Sequence, residues 1–459
     1  KMFCACPNCY GSEPNTNVCP VCMGYPGVLP VPNKEAIRKT VIAGLLTNCT
    51  IAKYSKFDRK SYFYPDMPKN YQISQYDLPF CANGYIAIGG TGFSGEPMAE
   101  KKIGITRIHL EEDVAKLTHF HGASGVDYNR AGVPLMETVS EPDMRSADEA
   151  YAYLTSLKEI FVYGGIGDCD QEKGQMRCDV NISLRPEGQK EFGTKVELKN
   201  LNSFRAVHRA IDYEIWRQSE VLSSGGTIRQ ETRGWNDDTG ETYLMRTKEQ
   251  AHDYRYFPDP DLAPVVLSDE FIADLRANLP ELPGKMRERF VEQYALTPYD
   301  AEVLTQDKEI ASYFETAAKY VKTPKTLANW IISELLRELD SSGLASCKVN
   351  AENLGGLIAL IESGTINGKI AKEVFAEMLE SGESAKAIVD AKGLAQVSDT
   401  GAIAKIVADA IAANPKQVQQ YLDGNEKVLM YLVGQVMKLS KGKANPPMVI
   451  QLLKEQLGK

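Results

Sequence analysis

The sequence lacks a long apolar run, a secretion signal and any internal repeat. No stretch of about 18 apolar residues occurs in it, so no transmembrane helix is predicted. The start, Lys1-Met2-Phe3-Cys4, does not have the basic and then apolar pattern of a signal peptide. We therefore expect a cytoplasmic protein with no membrane contact.

An excess of positive charge is also missing. The 459-residue chain has a formal net charge of -9 at pH 7, which excludes nucleic-acid binding by bulk positive charge alone. Any contact with RNA has to come from local basic patches. The hydrophobic content of 43% and the charged content of 25% are typical of a soluble globular protein. At about 150 residues per domain, the length suggests roughly three domains.

The order of predicted elements indicates an α+β fold. Strand-like segments alternate with a few helices up to residue 262, and from about Ser268 only helices are predicted. Two helices are predicted after Ser146 and Ser203, and their apolar faces are Ala150, Leu154, Leu157, Phe161 and Val207, Ile211, Ile215. We expect a mixed sheet-and-helix domain at 1–262, a helical domain at 263–349 and a small helical tail domain at 350–459.

Five of the ten cysteines lie within the first 22 residues. They include two close pairs, Cys4-x-Cys6 and Cys19-x-x-Cys22. In a chain without a secretion signal, such clustering favours a metal over disulfides, and tetrahedral zinc takes four thiolates at about 2.3 Å. We predict a structural zinc site at Cys4, Cys6, Cys19 and Cys22, with Cys9 as a further candidate. The alternative is a set of free thiols.

Two carboxylates occupy positions where an apolar side chain is expected. If 103–113 is a strand, Glu112 shares a face with Ile108 and Leu110. If 133–139 is a strand, Glu137 lies on a similarly apolar face. A buried carboxylate costs several kcal/mol unless it is paired, hydrogen-bonded or bound to a cation, so the pattern predicts a buried cation site. His109 lies on the opposite face from Glu112, and we expect it to be a structural histidine.

Two further segments carry polar groups suited to phosphate. The predicted strand 176–185 presents Arg177, Asp179, Asn181, Ser183 and Arg185 on one face, a mixture that suits phosphate and a hydrated cation, and Lys195, Glu197 and Lys199 of the predicted strand 194–199 extend it. The alternative is the solvated side of an edge strand. The segment 57–66 combines Arg59 and Lys60 with several aromatic rings, which can stack a base or belong to the core.

These segments and several others closely resemble the B subunit of the tRNA-dependent amidotransferase, the GatB family. The matching segments are Y-P-G-V-L-P (25–30), F-D-R-K-S-Y-F-Y-P-D (57–66), Y-Q-I-S-Q-Y-D (71–77), R-I-H-L-E-E-D (107–113), N-R-A-G-V-P-L-M-E-T-V-S-E-P-D (129–143), R-C-D-V-N-I-S-L-R-P (177–186), E-L-K-N-L-N-S-F (197–204), Q-E-T-R (230–233) and H-D-Y-R-Y-F-P-D-P-D-L (252–262). In the tail they are N-G-K-I-A-K (367–372), G-Q-V-M-K (434–438) and G-K-A-N-P (442–446). The resemblance covers essentially the whole chain.

The resemblance implies a two-step reaction. ATP phosphorylates the side-chain carboxylate of Glu or Asp mischarged on the tRNA for Gln or Asn, and ammonia then displaces the phosphate to give the amide. In the family, a glutaminase (the A subunit) makes the ammonia from glutamine, and a small C subunit tethers the two. The B subunit performs the activation and amidation in a cradle-shaped domain, here 1–262, while its helical and tail domains hold the tRNA. The alternative is a non-catalytic tRNA-binding scaffold.

The resemblance also implies roles for individual residues. Glu112 and Glu137 match the positions that hold magnesium (Mg2+) in the family. The residues expected to line the same pocket are Lys60, Arg177, Asp179 and Asn181. Our own inference places Arg59, Lys60 and Arg177 near the phosphates of ATP, and Asp179 and Asn181 near the cation or substrate. Chains of the family normally begin with a strand reading G-L-E-x-H, whose Glu and His complete the magnesium site. This sequence starts after that strand, so we expect it to amidate poorly as it stands.

Overall fold

The computed structural model confirms the α+β fold and describes residues 1–247, 253–340, 342–395, 400–440, 444 and 446–458. Strands occur in the N-terminal part, and the C-terminal part of the described chain is helical. The chain divides into two compact units, Lys1–Leu282 and Pro283–Lys459. The predicted domain boundaries at residues 262 and 349 stay predictions. None of the helices in the described ranges is long and apolar enough to cross a membrane.

The first unit contains the strands. They are β1 (Thr50–Ile51), β2 (Tyr54–Ser55), β3 (Asp58–Ser61), β4 (Tyr71–Ser74), β5 (Cys81–Thr91), β6 (Pro97–Glu112), β7 (Lys116–Phe120), β8 (Ala123–Asp127), β9 (Pro134–Ser140), β10 (Cys178–Ile182), β11 (Val196–Leu201), β12 (Glu231–Asn236), β13 (Glu241–Thr247), β14 (Phe257–Pro258) and β15 (Val265–Val266). One sheet has the order β1-β5-β6-β9 and another the order β10-β11-β12-β13. The strand β3 lies between β14 and β4 in a smaller sheet.

The helices of the first unit are α1 (Lys34–Leu46), α2 (Ala147–Tyr163), α3 (Phe204–Ser223) and α4 (Asp269–Ala277). The predicted starts of α2 and α3 are confirmed, because Ser146 caps α2 by accepting from the Glu149 backbone N–H and Ser203 caps α3 by accepting from that of Ala206. The predicted apolar faces of both helices enter the core that they share with the sheets.

The described part of the second unit is helical. Its helices are α5 (Pro283–Tyr294), α6 (Pro298–Leu304), α7 (Lys308–Ala318), α8 (Pro324–Trp330), α9 (Leu336–Glu338), α10 (Ala351–Glu362), α11 (Gly368–Ser381), α12 (Ala385–Lys392), α13 (Thr400–Ala413), α14 (Pro415–Leu422), α15 (Val428–Leu439) and α16 (Pro446–Leu457), with a π-helical turn at Ile331–Leu335 and a 3-10 turn at Gly343–Ser346. One apolar core extends from Phe290 to Val389, and a second from Ile403 to Leu457. Of the segments quoted for the resemblance, residues 252, 442, 443 and 445 lie outside the described residues.

The long strand β6 contains one irregular position, at which the residues that face the core switch from odd to even numbers. Its pairing with β9 shifts register between Ile105 and Arg107, which is a β-bulge. The buried apolar positions are therefore odd-numbered before the bulge (Ile103, Ile105) and even-numbered after it (Ile108, Leu110). Beyond the bulge, the odd-numbered side chains point to the other face of the sheet. That face carries the polar groups described next.

Candidate active site

Three potential metal ligands meet where β6 pairs with β9. His109 and Glu137 are directly opposite each other in the antiparallel register, and Glu111 follows on the same face as His109. One ligand atom from each of His109, Glu111 and Glu137 lies within 4.8 Å of the others. Two carboxylates and an imidazole form a donor set suited to a divalent cation. The Nδ1 atom of His109 is buried without a hydrogen-bond partner among the described residues, so this ring retains a free position toward a ligand.

Glu111 is held firmly in place. Its Oε1 accepts from Ser74 Oγ at 2.5 Å and lies 3.2 Å from His109 Nε2, and its Oε2 accepts from Gln72 Nε2 at 3.1 Å. Burial raises the pKa of Glu111, but the hydrogen bond with His109 and the positive charge of Lys60 outweigh burial, so the net shift of this pKa is downward. The side chain is therefore a buried, oriented carboxylate that stays ionised.

Glu112 and Glu137 are not brought together. Glu112 is buried and shares its face with Ile108 and Leu110, as expected, whereas Glu137 projects from the opposite face. The Glu112 carboxylate forms an ion pair with Lys69 and accepts from the Ile73 backbone N–H at 2.9 Å. It lines a cavity of about 180 Å³ on its own side of the sheet. Direct coordination of one ion by both carboxylates therefore does not fit this arrangement.

The expectation that Glu137 is buried is wrong. Glu137 is exposed, although the next residues of β9 on either side are half-buried. The alternation along the sequence is real, but β9 lies at the edge of its sheet, where one face remains open to solvent. An exposed carboxylate beside the buried Glu111 makes the three-residue group accessible from outside.

The two basic residues of β3 differ in their partners. Arg59 is engaged, because its Nε lies 2.7 Å from Asp259 Oδ2 and its Nη2 lies 3.0 Å from Asp261 Oδ2. Lys60 faces the site, since its charge lowers the pKa of Glu111, and its ammonium lies 5.0 Å from the centre of the Tyr254 ring. Of the two, Lys60 is the one whose charge acts on Glu111, and its role at phosphate stays a prediction.

The charged side chains on the polar face of β10 and on the neighbouring strand pair with one another. Asp179 forms an ion pair with Lys199 of β11, and Lys199 Nζ also lies 3.4 Å from Glu197 Oε1. Asn181 is exposed. Arg177, just before β10, donates from Nη2 to Asp113 Oδ2 at 2.9 Å, and this contact ties it to the end of β6. None of these contacts reaches Glu111 or Glu137, so the roles expected of these three residues stay predictions.

A pair of stacked tyrosines lies near the group. The rings of Tyr76 and Tyr256 stack with their centres 4.4 Å apart, and Tyr254 packs edge-on against Tyr256. Burial raises the pKa of Tyr256, and the negative charges of Glu111, Tyr254 and Glu137 raise it further. The Tyr256 hydroxyl therefore stays protonated and lies close to the two carboxylates.

The four predicted zinc ligands do converge. Sulfur atoms of Cys4, Cys6, Cys19 and Cys22 lie within 4.8 Å of one another, whereas Cys9 is exposed and is not part of the group. Burial and a hydrogen bond with Cys19 raise the pKa of Cys6 to about 12. For Cys19, burial acts upward, but hydrogen bonds from Cys22, Cys6 and Val21 lower the pKa to about 7. The geometry suits a closed tetrahedral site.

Sequence reasoning missed Glu111 and assigned His109 a structural role. It assumed that one face of the strand is buried and the other solvated, but both Glu111 and Glu112 are buried. The missing information is the register with β9, which sets His109 opposite Glu137. A signal was nevertheless present, because a strand that ends in two consecutive carboxylates cannot place both on a solvated face.

Comparison with known proteins gives a consistent result. The model of the GatB/GatE catalytic domain matches residues 1–273, and the model of the GatB domain matches residues 312–457. The chain is 54% identical to the B subunit of the aspartyl/glutamyl-tRNA(Asn/Gln) amidotransferase of Carboxydothermus hydrogenoformans, and the match covers 100% of this chain and 96% of that protein. Proteins of the same name from Thermoanaerobacter pseudethanolicus and Persephonella marina are each 53% identical, with the same coverage.

Proposed function

The chain belongs to the GatB family of amidotransferase B subunits, and on this premise we propose that it activates and amidates the side-chain carboxylate of Glu or Asp carried on a mischarged tRNA. The observation that carries the proposal is the convergence of His109, Glu111 and Glu137. A scaffold that only binds tRNA gains nothing from two carboxylates and a histidine that converge and are open to solvent at Glu137. An enzyme that has to neutralise phosphate charge does gain.

The proposed chemistry has two steps. A carboxylate oxygen of the aminoacyl side chain attacks the γ-phosphorus of ATP, the bond to the β-phosphate oxygen breaks, and ADP leaves. The nitrogen of ammonia then attacks the acyl carbon, the bond from that carbon to the phosphate oxygen breaks, and inorganic phosphate leaves as the amide loses its extra proton. Phosphoryl transfer depends mainly on positioning and on charge neutralisation, so few covalent tasks fall to side chains.

His109, Glu111 and Glu137 are the residues that would hold magnesium in this proposal. Magnesium bound there would neutralise negative charge on the transferring phosphoryl group. Ser74 and Gln72 fix the direction of the Glu111 carboxylate, while the exposed Glu137 leaves the group open to substrate. Glu112 lies on the other face of β6, where its ion pair with Lys69 stabilises the end of this strand.

Further parts of the molecule receive roles under the same proposal. Cys4, Cys6, Cys19 and Cys22 would hold a structural zinc ion, since four thiolates leave no position for substrate. The chain would work with the glutaminase and the small C subunit of the amidotransferase, and the helical second unit would hold the tRNA. Lys60 would contact phosphate, and Arg177, Asp179 and Asn181 would act at the rim of the pocket, where Arg177 is tied to Asp113.

Substitution of the two carboxylates tests the enzyme assignment. Glu111→Gln and Glu137→Gln each remove a negative charge and keep the shape of the side chain. In the assembled amidotransferase, we expect each variant to lower ATP-dependent amidation of mischarged tRNA by roughly 100-fold. Binding of tRNA to the complex is measured in parallel and is expected to stay unchanged.

Glu100→Gln is the matched control, because Glu100 is an exposed carboxylate of the same strand β6. It is expected to retain full amidation. Unchanged amidation in both the Glu111 and the Glu137 variants would refute the enzyme assignment and favour the tRNA-binding scaffold. Loss of tRNA binding together with amidation in these two variants would also contradict the proposal.

A further inference from the structure

Arg107 lies directly after the bulge in β6 and next to the three potential metal ligands. It pairs with Val139 of β9, two positions along each strand from the pair His109 and Glu137. Because side chains alternate along a strand, Arg107 projects from the same face as His109. Bulges are common beside active sites, where they redirect a side chain. The bulge at this position turns an arginine toward the polar face, although the apolar pattern before it places odd-numbered residues in the core.

The Arg107 side chain has no partner among the described residues. Its Nε atom is buried without a hydrogen bond, and none of its guanidinium nitrogens forms an ion pair with a residue of the described ranges. Other arginines near the site differ, since Arg59 is paired with two carboxylates and Arg177 with one. A buried guanidinium donor that the described residues leave unpaired costs free energy, and an anion of a bound ligand would satisfy it.

The charge of Arg107 acts on the same small volume as the carboxylates. The hydroxyl of Tyr256 experiences the negative charges of Glu111 and Glu137 and the positive charge of Arg107 together. A group of carboxylates suited to a cation and a guanidinium thus lie on one face of the β6–β9 pair, and both act on the same hydroxyl. This combination fits a ligand that brings a divalent cation and an oxyanion at once.

We propose that Arg107 binds an oxyanion of the substrates in this site, either the γ-phosphate of ATP or the side-chain carboxylate that receives the phosphoryl group. This inference rests on the proposed function and adds a substrate-binding residue to it. The planar fork of a guanidinium donates two parallel N–H groups to either oxyanion. Lysine supplies the charge without the fork, so the two side chains are not equivalent here.

The variants Arg107→Met and Arg107→Lys test the inference in the assembled amidotransferase. A hydrogen bond to a charged group corresponds to roughly a 10- to 100-fold effect, and we expect Arg107→Met to lower kcat/KM for amidation by that factor. Arg107→Lys is expected to recover part of the loss. The readout apart from activity is the affinity of a non-hydrolysable ATP analogue with magnesium, measured by titration calorimetry.

The same measurements identify the oxyanion. Weaker binding of the analogue and a raised KM for ATP in Arg107→Met assign the γ-phosphate. Unchanged analogue binding with a raised KM for the mischarged tRNA assigns the carboxylate. If kcat, both KM values and analogue binding all stay within twofold of the wild type, the inference is overturned. It is equally overturned if only the thermal unfolding temperature changes.

Arg38→Met is the matched control. Arg38 is a partly exposed arginine of α1 that pairs with Glu35 on the same helix, and its loss is expected to leave amidation and analogue binding unchanged. The failure of this inference can be told apart from that of the proposed function. Normal kinetics in Arg107→Met together with inactive Glu111→Gln and Glu137→Gln variants would refute the Arg107 inference alone. Active Glu111 and Glu137 variants would refute the proposed function.

Discussion

Glu214 of α3 is a buried carboxylate whose neighbours satisfy it completely, in contrast to the group at Glu111. Its side chain is fully buried, and it accepts from Arg217 Nε at 2.8 Å, from Thr242 Oγ1 at 2.6 Å and from Gln218 Nε2 at 2.9 Å. At this site the structure supplies cations and hydroxyls from the chain itself. Near Glu111 the chain does not supply such a partner to every group, since Arg107 Nε and His109 Nδ1 are buried without a partner among the described residues.

Glu214→Gln is expected to lower the free energy of unfolding by about 3 kcal/mol, because it removes the fully buried counter-charge of Arg217 and Arg233 and leaves them only Glu231. Burial raises the pKa of Glu214, but hydrogen bonds from Arg217 and Thr242 outweigh burial, so the net pKa is below the ordinary 4.5. A lowered native pKa adds stability that is present above the unfolded pKa and is lost as the pH falls through the folded pKa. The stability of the variant should therefore fall less steeply than that of the wild type below pH 4.5.

Urea unfolding between pH 7 and the acid range measures both effects. Glu220→Gln is the control, because Glu220 is an exposed carboxylate on the same helix and its loss is expected to change stability by less than about 0.5 kcal/mol. Equal stability of the wild type and Glu214→Gln at pH 7 would contradict the importance assigned to this contact. The same holds if the difference in unfolding free energy between the two proteins is as large in the acid range as at pH 7.

At the scale of elements, sequence patterns predicted whole helices well and strand contacts poorly. The helices α2 and α3 were predicted with their starts and apolar faces, since both signals are local. Strands were located, but Met176 to Arg185 shortened to Cys178–Ile182 and Ile103 to Asp113 became Pro97–Glu112. The bulge in β6 and the register with β9 depend on partners distant in sequence, and therefore the position of Glu111 beside Glu137 could not be predicted.

The N-cap of α2 provides a test of such a local signal. Ser146 and Glu149 form only half of a capping box, because Ser146 accepts from the Glu149 N–H while the Glu149 carboxylate accepts from the Arg145 N–H. Ser146→Ala removes the cap and is expected to cost about 1 kcal/mol of unfolding free energy. Ser156→Ala, inside the same helix, is expected to be neutral or slightly stabilising because Ala has the higher helix propensity. Denaturant unfolding of both variants measures the difference, and equal effects would refute the cap assignment.

At the scale of the whole molecule, the apolar cores divide the chain. One core lies within the first unit, and the two others lie within the second. Residues 4–22, which contain the clustered cysteines and are called the cysteine loop, belong to the first unit. The Asn17 N–H donates to Asn129 Oδ1 at 2.8 Å, and Asn129 Nδ2 donates to the Glu13 carbonyl at 2.7 Å. The loop is thereby attached to the connection that leads into β9 and to Glu137.

Removal of zinc is accordingly expected to loosen a defined part of the first unit. Because four thiolates would be released, we expect chelation to accelerate amide hydrogen exchange in the cysteine loop and in the connection between β8 and β9. Exchange in α10 to α12 is expected to stay unchanged, because those helices belong to a core of the second unit. Hydrogen-exchange mass spectrometry of the full chain, with and without chelator, measures both regions.

The variants Cys19→Ser and Cys9→Ser separate a metal effect from a general effect of cysteine loss. Cys19 belongs to the converging group and Cys9 does not, so we expect Cys19→Ser to lose bound zinc and to reproduce the exchange pattern of the chelated protein. Cys9→Ser is expected to bind one zinc ion per chain like the wild type, as measured by elemental analysis. Retention of zinc by Cys19→Ser, or faster exchange in α10 to α12 on chelation, would contradict a structural zinc site confined to the first unit.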